Sequence, residues 1–341
     1  MPEGLIQLHE QLFHPERIPY AIAAILIAMV VGVISGPLAG NANPFVWQAV
    51  DTFFGRFGDK LNKTHRPKAD LVFRGFLITA LALAVAFGLG KALDLLVFYY
   101  PLYNLSEAVI LSLMITGGSV WYALLRLYFA LEQKKVGEGA FYAIARSERK
   151  NLAASDDLSI TRCAMGFAVR SYDKGLIAPV IWYLIGGLPA ALIYATLAAL
   201  FWRFGKDGFS KGLGVVPGAL EKLMGFVPSL FSAVMVAATS MFAPTAKVSK
   251  GLEALTGMKN RASYEQGGWP LSALAWSLNV SLGGAFQDIT GSAIKGAWVG
   301  PDKATAKNDH KHLRRALIIN AMGQFLFIVV LACAYLWSGA L

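Results

Sequence analysis

Six apolar runs limit how this chain can fold. A helix needs about 20 consecutive apolar residues to cross the hydrocarbon core of a bilayer. The runs that approach or exceed this length are residues 18–39, 76–100, 108–131, 175–202, 225–242 and 316–337. Hydrophobic residues make up 56% of the 341-residue chain, and one water-soluble core of this length cannot bury so much apolar surface. We therefore predict an all-α fold in which residues 1–341 form one polytopic integral membrane bundle of about five to six spans.

The basic residues lie between the apolar runs. The formal net charge is +10, but the lysines and arginines do not form one amphipathic face, so we expect no nucleic-acid partner. Positive segments of membrane proteins stay in the cytoplasm. This rule predicts that residues 51–74, 132–174 and 243–315 are cytoplasmic and that the N-terminus is outside, in the inner membrane of a bacterium. The segment before residue 18 lacks the cationic region of a cleaved signal, so we expect the first run to be retained as a span.

The fourth run allows two arrangements. A glycine pair and a proline at residues 186–189 interrupt it. We expect the run to cross once, although residues 203–222 would then lie outside with their lysines. The alternative is that the run enters the membrane and returns at the glycine pair. Broken helices at membrane depth are tolerated only where protein or a watery cavity covers them, so a return would mark an interior cavity.

Two of the predicted cytoplasmic regions have the patterns of folded structure. Residues 132–174 show three- and four-residue apolar spacing, which predicts amphipathic helices. Asp156 and Asp157 stand near the start of one of them, where the helix dipole favours negative charge. Residues 267–300 form a compact glycine-rich unit. In the first apolar run, glycines recur at positions 32, 36 and 40, and small residues four apart let two helices approach closely.

The sequence lacks the common motifs of nucleotide and metal chemistry. Residues 88–91 contain a glycine pair and a lysine but not the full spacing of a phosphate loop. His310 and His312 are two residues apart and point to different faces of a helix, so they predict no metal site. The sequence also has no serine nucleophile elbow. We therefore assign no catalytic residue and no metal ligand.

Several motifs together resemble a known family. Their order and spacing are similar to those of the CobD/CbiB family over residues 18–300. The similarity is carried by KGLIAPVIW at 174–182, GGLPAA at 186–191, GWPLSALA at 268–275, LGG at 282–284 and WVG at 298–300.

The resemblance implies a membrane ligase of cobalamin biosynthesis, of the adenosylcobinamide-phosphate synthase type. Members of the family join an aminopropanol, or its phosphate, to the corrinoid cobyric acid through an amide bond. ATP activates the corrinoid carboxylate, and Mg²⁺ accompanies the nucleotide. The implied cofactors, for an active enzyme, are ATP and Mg²⁺. The implied partners are cobyric acid, the lipid bilayer and other membrane proteins of the cobalamin pathway.

The chain departs from the family at polar positions. Where the resemblance implies two glutamates and an aspartate, the sequence has Gly166, Arg170 and Lys174. Where it implies a lysine, an asparagine and a second aspartate, the sequence has Ala195, Ala198 and Phe201. A Mg²⁺ site does not survive such charge reversal. Either other acids take over, such as Asp173, Asp207 or Asp288, or the scaffold persists as a pseudoenzyme with a changed or absent activity.

The candidates for substrate binding combine charged residues with glycines and one tryptophan: Arg170, Asp173, Lys174, Trp269, Gly283, Gly284 and Asp288. Arg170 and Lys174 lie four apart on one predicted helical face and suit a phosphate, or they are ordinary cytoplasmic cations. The glycine pair would let a ligand or a neighbouring backbone approach closely. Trp269 is either an anchor at the membrane interface or a stacking surface. Asp288 either faces the site or caps a short helix.

A second resemblance leads to another class of protein. AmpE-like inner-membrane proteins are similar in the central stretch, and they also end in a basic segment followed by an apolar helix. They are linked to signalling in β-lactamase induction, which implies a non-catalytic sensor or assembly protein on the same scaffold. A transporter is the third hypothesis, but the sequence shows none of the inverted repeats that transporters commonly have.

Overall fold

The fold is described by a computed structural model that covers residues 14–62, 66–100, 104–205, 212–257, 259–289, 291 and 293–338. Six of its helical segments are long and apolar enough to cross a membrane. They are Pro15–Ser35, Lys68–Tyr99, Leu105–Glu132, Asp157–Phe204, Val215–Phe242 and His310–Ser338. Sheet is confined to two ladders of two strands each in the described residues. The prediction of an all-α, multi-pass membrane bundle is therefore confirmed.

The described residues form thirteen α-helices and four short strands. The helices are α1 (Ile18–Ser35), α2 (Phe45–Val50), α3 (Arg56–Leu61), α4 (Lys68–Tyr99), α5 (Asn104–Met114), α6 (Gly118–Glu132), α7 (Tyr142–Glu148), α8 (Asp157–Tyr172), α9 (Ala178–Phe204), α10 (Val215–Thr239), α11 (Val248–Thr256), α12 (Gly268–Leu278) and α13 (His310–Ser338). The strands are β1 (Leu282–Gly283), β2 (Phe286–Gln287), β3 (Ala293–Ile294) and β4 (Trp298–Val299). Two π-helical turns, Asp51–Gly55 and Asp173–Ile177, join α2 to α3 and α8 to α9.

Helices α1 and α6 pack backbone to backbone through glycine. A Cβ atom on Gly32 would overlap the backbone nitrogen of Ser119, and one on Gly36 would lie 3.3 Å from the Tyr122 ring. Gly40 has no atom within 4 Å of such a position. The glycine spacing therefore marks a close helix contact at its first two positions and not at the third.

We expect Gly32→Leu to destabilise the protein by about 3 kcal/mol or more, because its side chain would force α1 away from α6. Thermal unfolding of the detergent-solubilised protein measures the change. Gly88→Ala in α4 is the matched control, since a Cβ there meets open space and alanine favours a helix by about 1 kcal/mol over glycine. Equal melting temperatures for the two variants would contradict this view of the contact.

Helix α9 turns back on itself halfway along its length. Arg170 Nη2 and Trp202 Nε1 both donate to the carbonyl oxygen of Ser147, at 2.9 and 2.7 Å. On one straight helix, Arg170 and Trp202 would lie about 48 Å from each other. Helical geometry is lost at Gly186 and at Gly187, whose φ is 65°. The expectation of a single crossing is therefore wrong, and the alternative of entry and return is the observed arrangement.

The turn in α9 gives the bundle two distinct ends. At one end, here called the basic end, Arg203 Nε lies 2.7 Å from Asp51 Oδ1 and its Nη2 lies 2.5 Å from Asp59 Oδ2. At the opposite end, here called the far end, Arg17 donates to the carbonyl oxygens of Leu184 and Ile185 at 3.4 and 3.3 Å. Because α9 returns, its C-terminal end lies at the basic end beside the segments that carry the arginines and lysines.

The glycine-rich unit consists of α12 and two antiparallel ladders. In the first ladder, Leu282 pairs with Val299, and in the second, Phe286 pairs with Ile294. The Asn151 amide donates to the Gln287 carbonyl at 3.0 Å, so the second ladder is fixed to the loop before α8. The predicted compact unit is therefore present, and it covers the basic end of the bundle.

Candidate functional site

A cavity of about 1020 Å³ lies between α8 and the glycine-rich unit at the basic end. One wall is α8 with the loop before it, a second is the segment that precedes α12, and a third is the β2–β3 hairpin. The Asp156 side chain caps the N-terminus of α8 by accepting from the Ser159 amide at 3.1 Å. The Ser159 hydrogen bonds lower the pKa of Asp156, so this carboxylate stays charged at neutral pH.

Cations outnumber acids in the lining of this cavity. The cations are Lys150, Arg162, Arg170, Arg261 and Lys295, and the acids are Glu148, Asp156 and Glu265. Lys295 and Glu265 are exposed. The balance favours an anionic ligand, because charge of one sign in a cleft focuses the field on a ligand of the other sign.

Arg170 is held in place by a carboxylate. Its Nε lies 2.7 Å from Glu148 Oε1, while Lys150 Nζ lies 3.4 Å from Glu148 Oε2. The Arg170 guanidinium also donates to the Asn43 side chain at 3.2 Å and lies 5.8 Å from the ring centre of Trp47. The charge of Arg170 is thus compensated by Glu148, which is 4% exposed.

Lys174 lies deeper and does not line the cavity. Its Nζ is 3.2 Å from Glu221 Oε2 in α10 and 3.9 Å from the ring centre of Tyr264. Lys174 lines a narrow cleft of about 10 Å³ that shares Arg170 and Glu265 with the cavity lining. This cleft is lined by Trp47, Arg170, Lys174, Ala198, Phe201, Trp202, Glu265 and Gly267. The positions where the resemblance implies polar groups, at 198 and 201, therefore form a closed aromatic and aliphatic wall.

Tyr264 connects the cavity wall to this buried pair. Its hydroxyl donates to Glu221 Oε1 at 2.9 Å. Burial, followed by the neighbouring Glu221 charge, raises the pKa of Tyr264, so the phenol stays neutral and acts as a donor. The residues on either side of it, Ser263 and Glu265, line the cavity.

The glycine pair allows close packing between β1 and β4. Gly283 and Gly284 line the cavity, and their φ angles are 84° and 85°. A Cβ on Gly283 would overlap the carbonyl oxygen of Ala297, and one on Gly284 would lie 2.8 Å from the Trp298 ring. Of the two uses predicted for the pair, the structure shows the close approach of a neighbouring backbone.

The remaining candidates lie outside the cavity lining. Trp269 lies under the Arg261 guanidinium at 4.8 Å and meets the edge of Phe226 at 4.9 Å. Asp288 is 4% exposed and follows β2, so the expectation that it caps a helix is wrong. Asp173 is 2% exposed inside the bundle, and Asp207 lies outside the described residues.

Sequence reasoning missed the two carboxylates that neutralise the cations. Glu221 stands close to the start of an apolar run, and an acid in such a place is a functional candidate by default. That signal would have found it. Glu148 lies in a basic, helical segment and carries no comparable signal.

The lining suits phosphate better than a protein-held metal. Mg²⁺ requires oxygen ligands in octahedral geometry, and in the described part of the chain no three His, Cys, Asp or Glu side chains come together as a metal group. Both oxygens of Glu148 already contact cations. The residues therefore do not fit Mg²⁺ held by the protein, whereas the lysines and arginines fit the phosphates of ATP or of a phosphorylated amine.

The fold and the cavity define a class: a multi-pass helical membrane protein with a cation-lined cavity at one end of its bundle. The family model of the CobD/Cbib protein matches residues 22–320, which include the whole cavity lining. The chain belongs to this family and is a CobD/CbiB-like protein of cobalamin biosynthesis.

Three relatives named cobalamin biosynthesis protein CobD show how far the similarity extends. The protein of a Sinorhizobium species is 24% identical over 76% of this chain and 83% of its own length. That of Rhizobium meliloti strain 1021 is 25% identical over 77% and 83%. That of Dehalococcoides mccartyi strain CBDB1 is 21% identical over 75% and 82%. No solved structure matches the chain.

Proposed function

We propose that the protein binds a corrinoid, together with a phosphate-bearing amine or nucleotide, in the cavity at the basic end. The observation that carries the proposal is the size and charge of this cavity, about 1020 Å³ with five cations in its lining. The family membership supports a corrinoid such as cobyric acid as the large ligand. The sequence rule for basic segments supports the cytoplasmic side of a bacterial inner membrane as the location of the site.

The family resemblance supports amide formation as the reaction at this site. The cavity cations would hold phosphate groups and stabilise negative charge on them. The described residues do not fit a protein-held Mg²⁺, so we derive no metal-dependent step. A nucleotide would have to bring its metal with its own phosphates as ligands.

A specific observation favours a second candidate, a non-catalytic sensor or assembly protein on the same scaffold. Arg170 and Lys174 stand where the resemblance implies acids, and each is paired with a carboxylate. These charges form internal ion pairs. Such pairing supports a scaffold that keeps the fold without the metal chemistry.

Corrinoid binding can be measured by the visible absorbance of cobyric acid that co-elutes with the detergent-solubilised protein. We expect Lys295→Glu to weaken binding about tenfold, because it reverses an exposed charge in the cavity and so costs about 1.4 kcal/mol. Lys307→Glu is the matched control, since this exposed lysine lies outside the cavity lining. Equal affinity for both variants, or no binding by the wild-type protein, would refute the proposal.

Genetic complementation separates the two candidates. The chain is expressed in a host that lacks its own CobD/CbiB-type enzyme and is supplied with cobyric acid. Growth that depends on newly made cobalamin would support amide formation. Corrinoid binding without rescue, in cells where membrane insertion is verified, would support the non-catalytic scaffold.

A further inference from the structure

The segment that joins the first two spans presents aromatic side chains to the outside of the molecule. It comprises α2, the π-helical turn Asp51–Gly55 and α3, which together are residues 45–61, and is here called the connecting segment. Phe53 is 68% exposed and Phe57 is 62% exposed. Single exposed apolar residues are common on protein surfaces. These two phenylalanines, however, lie four apart in a helical segment and therefore share one face.

The opposite face of the connecting segment is packed against the end of α9. A Cβ atom on Gly58 would overlap the Phe204 ring, and one on Gly55 would lie 2.9 Å from Arg203 Nε. Because these contacts are so close, the segment cannot rotate to bury its phenylalanines without losing them. The aromatic patch is therefore a fixed feature of the surface at the basic end.

The charged residues of the connecting segment are divided between its faces. Its acids both bind Arg203: Asp51 Oδ1 lies 2.7 Å from Nε, and Asp59 Oδ2 lies 2.5 Å from Nη2. Its cations, Arg56 and Lys60, are exposed, and each precedes or follows Phe57 by no more than one helical turn. The acids are thus used within the protein, and the outer face of the segment carries positive charge beside its phenylalanines.

The place of the connecting segment in the fold puts this outer face at the membrane boundary. Helix α1 ends at Ser35 and α4 begins at Lys68, so the segment lies where both spans leave the hydrocarbon. Phe73, in the first two turns of α4, is 59% exposed, which shows that the apolar surface of this span starts close to the same level. Amphipathic helices with phenylalanine on one face and basic residues beside it lie in the plane of the bilayer interface.

We propose that the connecting segment docks on the bilayer at the basic end and binds anionic phospholipids. Phe53 and Phe57 enter the boundary of the acyl chains, and Arg56 and Lys60 contact the negative headgroups. The rule for basic segments puts this end in the cytoplasm, where anionic lipids make the membrane surface negative. A second copy of the chain would instead bring an equally positive face against this one. This docking is independent of corrinoid binding.

The test places a fluorescent label on Phe57→Cys, in a background in which Cys163 and Cys333 are replaced by alanine. The full-length protein is reconstituted in lipid nanodiscs with a nitroxide quencher, carried near the headgroup of either phosphatidylglycerol or phosphatidylcholine at equal mole fraction. We expect both lipids to quench the label, because the position lies in the bilayer. We expect the anionic lipid to associate about fivefold more tightly or better, since each lysine or arginine near an anionic surface strengthens binding by about that factor.

Arg56→Gln combined with Lys60→Gln should remove the preference for the anionic lipid and leave quenching by phosphatidylcholine unchanged. Lys303→Gln is the matched control, since this exposed lysine lies in the loop after β4, and the preference should persist. Equal association of both lipids in the labelled protein would overturn the proposal. A label that neither lipid quenches, as water or a second copy over this face would leave it, would overturn it as well. If Phe57→Cys does not fold, the same measurement on Phe53→Cys decides the question.

Discussion

Lys174→Met is expected to lower the free energy of unfolding by about 3–5 kcal/mol, because it leaves the buried Glu221 carboxylate without its cation. Lys174 Nζ is the charged partner of Glu221, at 3.2 Å, and the carboxylate has no exposed surface. The remaining donors, Tyr194 and Tyr264, are neutral and cannot replace a charge. Removal of one partner of a buried pair costs far more than the intact pair contributes.

The reason for this loss can be tested with a second substitution. Lys174→Met combined with Glu221→Gln removes both charges and keeps an oxygen that accepts from Tyr264, so we expect most of the lost stability to return. Denaturant or thermal unfolding in detergent measures all variants. The control is Lys250→Met, which breaks an exposed pair with Glu253 at 2.6 Å and should cost less than about 1 kcal/mol. A similar cost for Lys174→Met and Lys250→Met would show that the buried pair is not energetically important.

The membrane fold could be predicted from local features of the sequence. Runs such as residues 316–337 contain no charged residue, and a run of that length is long enough to cross the hydrocarbon core. The Gly32 contact was likewise predictable, because small residues four apart in membrane helices let two helices approach closely. These inferences need only residues that are neighbours along one helix.

The candidate site was predicted less well because its partners come from distant parts of the chain. Arg170 and Lys174 were identified, but their carboxylates are on α7 and α10, and Glu221 is 47 residues beyond Lys174. When only its own helix is considered, a cation at a position where the resemblance implies an acid suggests that the ligand site is lost. The structure shows that each of the two cations is paired with an acid on another helix.

The path of α9 illustrates a limit of another kind. A glycine pair followed by a proline marks a break, but the same residues occur at kinks in helices that continue across the membrane. Only the left-handed backbone of Gly187, together with the contacts at both ends of the hairpin, shows that the chain reverses. Arg17 supplies donors to the carbonyl groups that the break leaves free.

Cysteine labelling should place residue 222 on the same face of the membrane as residue 135. Because α9 returns to the basic end, α10 starts at that end, where Gly214 meets the Phe204 backbone. Lys222 and Lys135 are both exposed. Lys91, whose side chain is 57% exposed, is near the far end, where Gly90 approaches Pro189. A single crossing of α9 would instead put residues 222 and 91 on one face.

The measurement uses Lys222→Cys, Lys135→Cys and Lys91→Cys, each in a background in which Cys163 and Cys333 are replaced by alanine. A membrane-impermeant maleimide is applied to right-side-out and to inverted vesicles. We expect complete labelling of positions 222 and 135 from one side and of position 91 from the other, because the bilayer blocks the reagent. Labelling of 222 together with 91 would contradict the return of α9. It would also contradict the shared contact at Ser147, since a helix that crosses once cannot bring Arg170 and Trp202 to the same carbonyl oxygen.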